Sequence, residues 1–230
     1  MPSHSFSFKQ FTIQQEHCAM KVGTDGVLLG AWAKGGQRIL DIGTGTGLIA
    51  LMMAQRFPAA HVDGIEIVPE AAMQAKENAS RSPFTERVTI LNVPLQQYHA
   101  NAYDAIVANP PYFPHALKSQ DEARATARQT DSLDFRDLSR HSARLLTEEG
   151  TLSIILPVDQ TPEMEAEAAF AGLCLNRRIM VSTSEKKPPK RCLLAFGKRA
   201  SSCFSDEKEC IAIGGQPTAW HNDLVSSFYL

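Results

Sequence analysis

Asp41-Ile-Gly-Thr-Gly-Thr-Gly47 decides the fold. The run follows the apolar stretch 38–42 and precedes the helical pattern 48–56, so it predicts a glycine turn from a buried strand into a helix. Glycines there let the backbone approach a ligand and let helix pack on strand, while amides at the helix N-terminus suit a polar or anionic group. Enzymes of several classes use a glycine turn, so the residues around it must decide what it holds.

Outward from the turn, short apolar runs alternate with amphipathic ones. Segments 61–67, 88–92, 103–108 and 150–156 read as strands, and 69–81 and 134–146 as helices. This alternation predicts an α/β fold with a doubly wound, mostly parallel sheet. A helix at 162–172 is followed by strands at 175–182 and 191–198. Only the polar, proline-rich loop 184–190 joins these two, so they are expected to pair antiparallel at the end of the sheet. The tail offers a short strand at 210–213 and a last helix ending at 228–230. On the other side, alternation at Phe6, Phe8, Phe11 and Ile13 predicts strands with a turn near Lys9–Gln10. The stretch 21–32 predicts a helix capped by Thr24 or Asp25. With no internal repeat, residues 1–230 are expected to form one domain.

Composition narrows the class. The chain has 230 residues, 43% hydrophobic and 21% charged, with a formal net charge of −2. That balance suits a soluble globular protein, and any nucleic-acid contact must be local rather than a basic face. No run approaches the roughly 20 apolar residues that span a bilayer. No membrane partner is expected, and the N-terminus does not resemble a secretory signal. Five cysteines, scattered and without metal-ligand spacing, read as reduced thiols in the cytosol. His17 beside Cys18 lacks a second ligand cluster, so no metal is expected.

Glu66 ends the strand after the glycine turn, where an acid can accept hydrogen bonds from ribose hydroxyls. Turn and acid together point to a cofactor carrying adenosine. Asn109-Pro-Pro-Tyr112 opens directly after the strand 103–108, on the edge where such sheets bind ligands. The lone pair of an exocyclic aromatic amine is delocalised into its ring. Two acceptors aimed at its hydrogens favour a pyramidal nitrogen and free that pair. The Asn109 side-chain oxygen and the Pro110 carbonyl are the expected acceptors, and Tyr112 can stack on the base. A conjugated amide such as that of glutamine is an alternative target. A nicotinamide dehydrogenase would share the glycine turn but leaves Asn109–Tyr112 unexplained, and a non-catalytic RNA-binding module leaves both unexplained.

These residues resemble the class I S-adenosylmethionine-dependent methyltransferases: the run 41–47 is similar to their glycine loop, and 109–112 to their amino-methylating signature. The resemblance implies a seven-stranded sheet with the last strand inserted antiparallel, and S-adenosylmethionine as cofactor. Phe8-Lys-Gln-Phe11, the run from Cys18 through Trp32, and the ending Phe228-Tyr-Leu230 resemble bacterial tRNA1(Val) adenine-N6 methyltransferases. That likeness spans nearly the whole chain. It implies N6 methylation of adenosine 37 in a valine tRNA; a ribosomal RNA or DNA adenine is the alternative nucleic-acid target, and a monomer is expected.

By the same resemblance, segment 1–33 covers the cofactor site. Lys21, Thr24 and Asp25 border the methionine end, Asp41 lies below its amino group, and Gly43, Gly45 and Gly47 form the wall. Pro94 stands where relatives carry an acid for the cofactor's adenine, which leaves Asn92, Ile67, Leu95 or main-chain groups to hold it. Pro111, Phe113 and His115 extend toward the substrate base. Lys186, Lys187, Lys190 and Arg191, or Arg124, Arg128, Arg136, Arg140 and Arg144, are the groups able to meet RNA phosphates.

Overall fold

The computed structural model describes residues 5–16, 21–111 and 133–229. Along the chain run β1 (Ser5–Ser7), β2 (Thr12–Gln14), α1 (Thr24–Trp32), β3 (Arg38–Ile42), α2 (Leu48–Arg56), β4 (His61–Glu66), α3 (Pro69–Ser80), β5 (Val88–Asn92) and β6 (Tyr103–Ala108). Then come α4 (Phe135–Leu145), β7 (Leu146–Pro157), α5 (Thr161–Phe170), β8 (Cys174–Ser182), β9 (Arg191–Gly197), β10 (Ser205–Cys210), β11 (Ala212–Ile213), β12 (Gln216–Pro217) and α6 (Ala219–Val225).

The main sheet has eight strands in the order β10-β8-β9-β7-β6-β3-β4-β5. Strands β5, β4, β3, β6 and β7 are parallel, and β9 lies antiparallel between β7 and β8. The α/β expectation holds, with two corrections. The antiparallel pair is not the end of the sheet, because β10 adds in parallel beyond β8 as an eighth strand where seven were expected. Its sequence, Ser-Asp-Glu-Lys-Glu-Cys, is too polar to read as a strand from pattern. That polarity suits an edge, where charge discourages pairing with another chain. The helix α1 also starts differently: Gly23 is its N-cap and no side chain caps it, because the Asp25 carboxylate is engaged by Arg191 instead.

The parallel strands are apolar on both faces, so the sheet divides the core in two. Ile39 packs with α1 and α2 residues such as Leu28, Leu29, Leu51 and Met52. Leu40 and Ile42, one step along β3, pack on the other face with Leu138, Leu145 and Met164 from α4 and α5.

The two ends of the chain are fastened together. Lys9 N donates to Phe228 O at 2.8 Å, Lys9 Nζ to Ser226 O at 2.7 Å, and Gln55 Nε2 to Ser227 O at 2.7 Å. Phe8 stacks on Phe11 and Tyr229, and Phe228 is 0% exposed. The aromatic tail is thus the underside of the β1–β2 hairpin. Phe228→Leu, which leaves a gap in this cluster, is expected to cost about 1.5 kcal/mol and roughly 3–6 °C of Tm. Thermal unfolding followed by circular dichroism checks this; an unchanged Tm would mean the tail adds nothing to the fold.

Candidate active site

Backbone conformation shapes the loop after β3. Gly43, Gly45 and Gly47 have φ of 69°, 55° and 82°, a left-handed region that side chains disfavour. A Cβ on Gly43 would meet nothing within 4 Å, so this side of the turn is open. The end of β4 holds the loop in place: Gly43 N and Thr44 N donate to Ile65 O at 2.9 and 3.0 Å, and Gly45 N donates to Glu66 Oε2 at 2.9 Å.

Asp41 lies beneath this loop at 0% exposure. Its Oδ2 accepts from Thr44 Oγ1 at 2.7 Å and from Ala50 N at 3.0 Å. It therefore caps α2 from a distance, a job that Gly47, the N-cap residue, has no side chain to do. Its Oδ1 is buried without a hydrogen-bond partner. Burial pushes the carboxyl up to about 7; the Thr44 and Ala50 bonds oppose this and the nearby Glu66 charge adds to it. A buried acceptor with nothing to accept is unfavourable until a donor or cation arrives.

Strand register brings the other residues level with the loop. Ile42 stands opposite Ala108 on one side and Ile65 on the other, and Glu66 stands opposite Asn92. One residue beyond Ile42, Ala108 and Ile65, the strand ends put Asn109, Gly43 and Glu66 side by side, with Asn92 beyond them. Asn109 is half-buried, Pro110 buried and Pro111 exposed. Tyr112, Phe113, His115, Arg124 and Arg128 lie outside the described residues.

Glu66 serves the backbone on both oxygens, since Oε1 accepts from Val68 N at 3.0 Å. Each carboxylate oxygen has a second lone pair, so capacity for a ribose hydroxyl is left. The Asn92 side-chain amide donates to Glu66 O and Ile67 O, bracing the ends of β4 and β5. Of the apolar residues expected near a cofactor adenine, Leu95 is 4% exposed within the core, while Ile67 is 45% exposed at the strand end. Pro94 precedes a short turn, its carbonyl accepting from Gln97 N.

Lys21 and Thr24 are exposed where the chain enters α1. Arg191 Nε donates to Asp25 Oδ2 at 2.7 Å, tying α1 to the start of β9. Since Arg191 stands opposite Pro157, this tie is at the carboxyl edge of the parallel strands. Lys187 and Lys190 are exposed on the same loop. Lys190, Arg191, Pro157, Val158, Asp159 and Pro189 line a hollow of about 420 Å³.

Three supporting residues escaped the sequence reading. Thr44 holds Asp41. Asn78 of α3 donates to Thr46 O at 2.8 Å and exchanges two bonds with the Gln14 backbone, each 2.9 Å, joining hairpin to glycine loop. Gln15 Oε1 accepts from Val22 N. A signal existed for Asn78: it shares the buried face of α3 with Ala71, Gln74 and Ala75.

Among the described residues, no helix is long and apolar enough to cross a membrane, and no group of three or more His, Cys, Asp or Glu is placed to hold a metal.

A family model for the methyltransferase small domain matches residues 20–173. Solved structures share the fold at low identity. A protein of Agrobacterium tumefaciens described as a predicted O-methyltransferase superposes with a TM-score of 0.64 at 19% identity, covering 89% of this chain and 96% of its own. A ribosomal protein L11 methylase of Lactobacillus delbrueckii gives 0.53 at 20% identity, covering 76% and 78%. Sheet order, glycine loop and family model together define a methyltransferase of class I fold. Among curated relatives, a tRNA1(Val) (adenine(37)-N6)-methyltransferase of Bacteroides thetaiotaomicron is 42% identical over 234 residues, covering 100% of this chain and 99% of that one. Its counterpart in Aeromonas hydrophila is 43% identical over 228 residues, covering 98% and 97%. The chain belongs to the tRNA1(Val) (adenine(37)-N6)-methyltransferase family.

Proposed function

We propose that the chain transfers a methyl group from S-adenosylmethionine to the N6 amine of adenosine 37 in a valine tRNA. The observation that supports this most is the register that sets Asn109 beside Gly43 at the carboxyl edge of the sheet. An amine held by Asn109 then lies next to the cofactor wall.

The residues fit the cofactor. The unpartnered Asp41 Oδ1 is an acceptor for an amino acid's ammonium group, the open side of Gly43 admits a chain, Glu66 retains lone pairs for a ribose, and Ile67 offers an apolar face. Lys21, Thr24 and Asp25 stand at the entrance to α1, and Asn92 braces the far end. When bound, S-adenosylmethionine supplies an electrophilic methyl group. The chain's own part is to place and prepare the amine. The Asn109 Oδ1 and the Pro110 carbonyl accept its two hydrogens, which concentrates the lone pair on nitrogen. Pro110 and Pro111 stiffen the backbone that aims these oxygens, and Tyr112 stacks on the base. Positioning supplies most of the rate, and the proton leaves after transfer.

In this reading the whole chain acts as one domain and as a monomer in the cytosol, with segment 1–33 over the cofactor. Lys187, Lys190 and Arg191, with Pro111 and Phe113, contact the RNA. Incubation with methyl-labelled S-adenosylmethionine and total RNA, followed by nucleoside analysis and mapping, tests the assignment. N6-methyladenosine at position 37 of a valine tRNA is expected. Label recovered in protein glutamine, or in RNA at another base, would replace the assignment.

A further inference from the structure

We propose that the hollow between α4 and α5 is a second RNA-docking surface, where an unstacked base rests on Phe170 and phosphates meet Arg136 and Arg140. The proposal rests on the reading of tRNA as substrate and extends it to a surface away from the glycine loop.

The geometry begins with two amphipathic helices. Helix α4 buries Leu138, Ser139, Ser142 and Leu145, which leaves Arg136 and Arg140 exposed on its outer side. Their i,i+4 spacing sets them about 6 Å apart along the helix, in one row. Helix α5 buries Thr161, Met164 and Ala168 and ends with Phe170 turned outward, 87% exposed. Arg136, Arg140, Glu167, Phe170 and Ala171 line a hollow of about 410 Å³.

Charge pairing separates these two arginines from those on and beside β8. On β8, Arg177 pairs with Glu207, and Arg178 with Asp206 and Glu165. Arg199 pairs with Glu149. Among the described residues, neither Arg136 nor Arg140 has a carboxylate within ion-pair distance, although Glu167 lines the same hollow. An exposed aromatic ring beside unpaired guanidinium groups is the arrangement by which proteins hold single-stranded nucleotides: the base stacks and the phosphates are neutralised. A tRNA offers phosphates and, in its loops, unstacked bases. Among the described elements, α4 is the next after β6, whose end Asn109 extends.

The full-length chain and a fluorescently labelled valine tRNA transcript test the proposal by anisotropy at several salt concentrations. Phe170→Ala is expected to weaken binding at least about fivefold, and Phe170→Tyr to restore most of it. The double variant Arg136→Gln, Arg140→Gln is expected to weaken binding and to lower the salt slope by about two. In both, KM for tRNA rises while kcat at saturating tRNA and affinity for S-adenosylmethionine stay within about twofold of wild type. If the wild-type chain binds and methylates tRNA and the variants match it in affinity and slope, the surface proposal fails alone. If the wild-type chain neither binds nor methylates tRNA, the substrate reading fails and carries the surface with it. Variants that change only a monomer–dimer equilibrium would assign the hollow to a second copy of the chain and overturn the proposal.

Discussion

Asn109→Ala is expected to lower the single-turnover rate of N6-methyladenosine formation by about 10²–10³, while binding of S-adenosylmethionine and of tRNA changes only a few-fold. The split follows from where the residue sits. Asn109 is the first residue past β6 and opens beside Gly43, yet the glycine loop is held by Ile65, Glu66 and Asp41 rather than by Asn109. Removing its amide therefore spares the loop and takes away one of the two acceptors proposed to localise the lone pair of the target amine. Losing one preorganised polar group at a reacting atom costs roughly 2.7–4 kcal/mol of barrier. The other acceptor, Pro110, is a main-chain carbonyl and survives the substitution, which is why some activity should persist. Asn109→Asp keeps an acceptor oxygen and should retain more activity than the alanine variant. A rate for Asn109→Ala within tenfold of wild type, measured with both substrates saturating, would remove Asn109 from the chemistry.

The parts legible in the sequence are those where local pattern and tertiary role coincide. The run 41–47 is glycine at each position that takes a left-handed backbone, so the turn could be read directly. The apolar runs of β3, β4 and β6 are buried on both faces and read as parallel strands for that reason. Strand β10 was illegible because an edge strand needs no apolar pattern, and its partner β8 lies more than 20 residues earlier. Pairings across the chain were hidden too. Arg191 reads as a member of a basic loop with Lys186, Lys187 and Lys190, but 166 positions separate it from the Asp25 it bonds. Leu95 and Ile67 look alike as apolar loop residues; only the turn after β5 decides that Leu95 faces the core. Acids at strand ends suggested ligand contacts, and the structure adds an architectural task to each. Glu66 fixes Gly45 and Val68, and Asp41 caps α2.

Asp41 should make both stability and cofactor affinity depend on pH, with opposite signs. In the folded chain without ligand its carboxyl is pushed up to about 7 from an ordinary value of 3.8, chiefly by burial. The folded state thus keeps a proton that the unfolded chain has lost. This contribution to stability is full below about pH 4 and is lost as pH rises through about 7. A displacement of that size corresponds to about 4 kcal/mol across the window. Asp41→Asn can still accept from Thr44 and Ala50 through its carbonyl oxygen, but it does not titrate. The stability difference between wild type and Asp41→Asn, from urea unfolding at pH 4 to 8, should therefore fall by up to about 4 kcal/mol as pH rises. Cofactor binding reverses the trend. An ammonium group against Oδ1 favours the ionised acid, so binding below pH 7 must expel a proton. Affinity for S-adenosylmethionine should then rise by roughly 15-fold from pH 5.5 to 7 and flatten above it. Calorimetry in buffers of different ionisation enthalpy should count about one proton released at pH 6 and none at pH 8. Asp41→Asn should lose that release together with roughly 1.5–3 kcal/mol of affinity, about 10- to 150-fold, because its amide cannot neutralise a cation. Equal proton release in wild type and Asp41→Asn would show that the orphaned oxygen is not where the ammonium group binds.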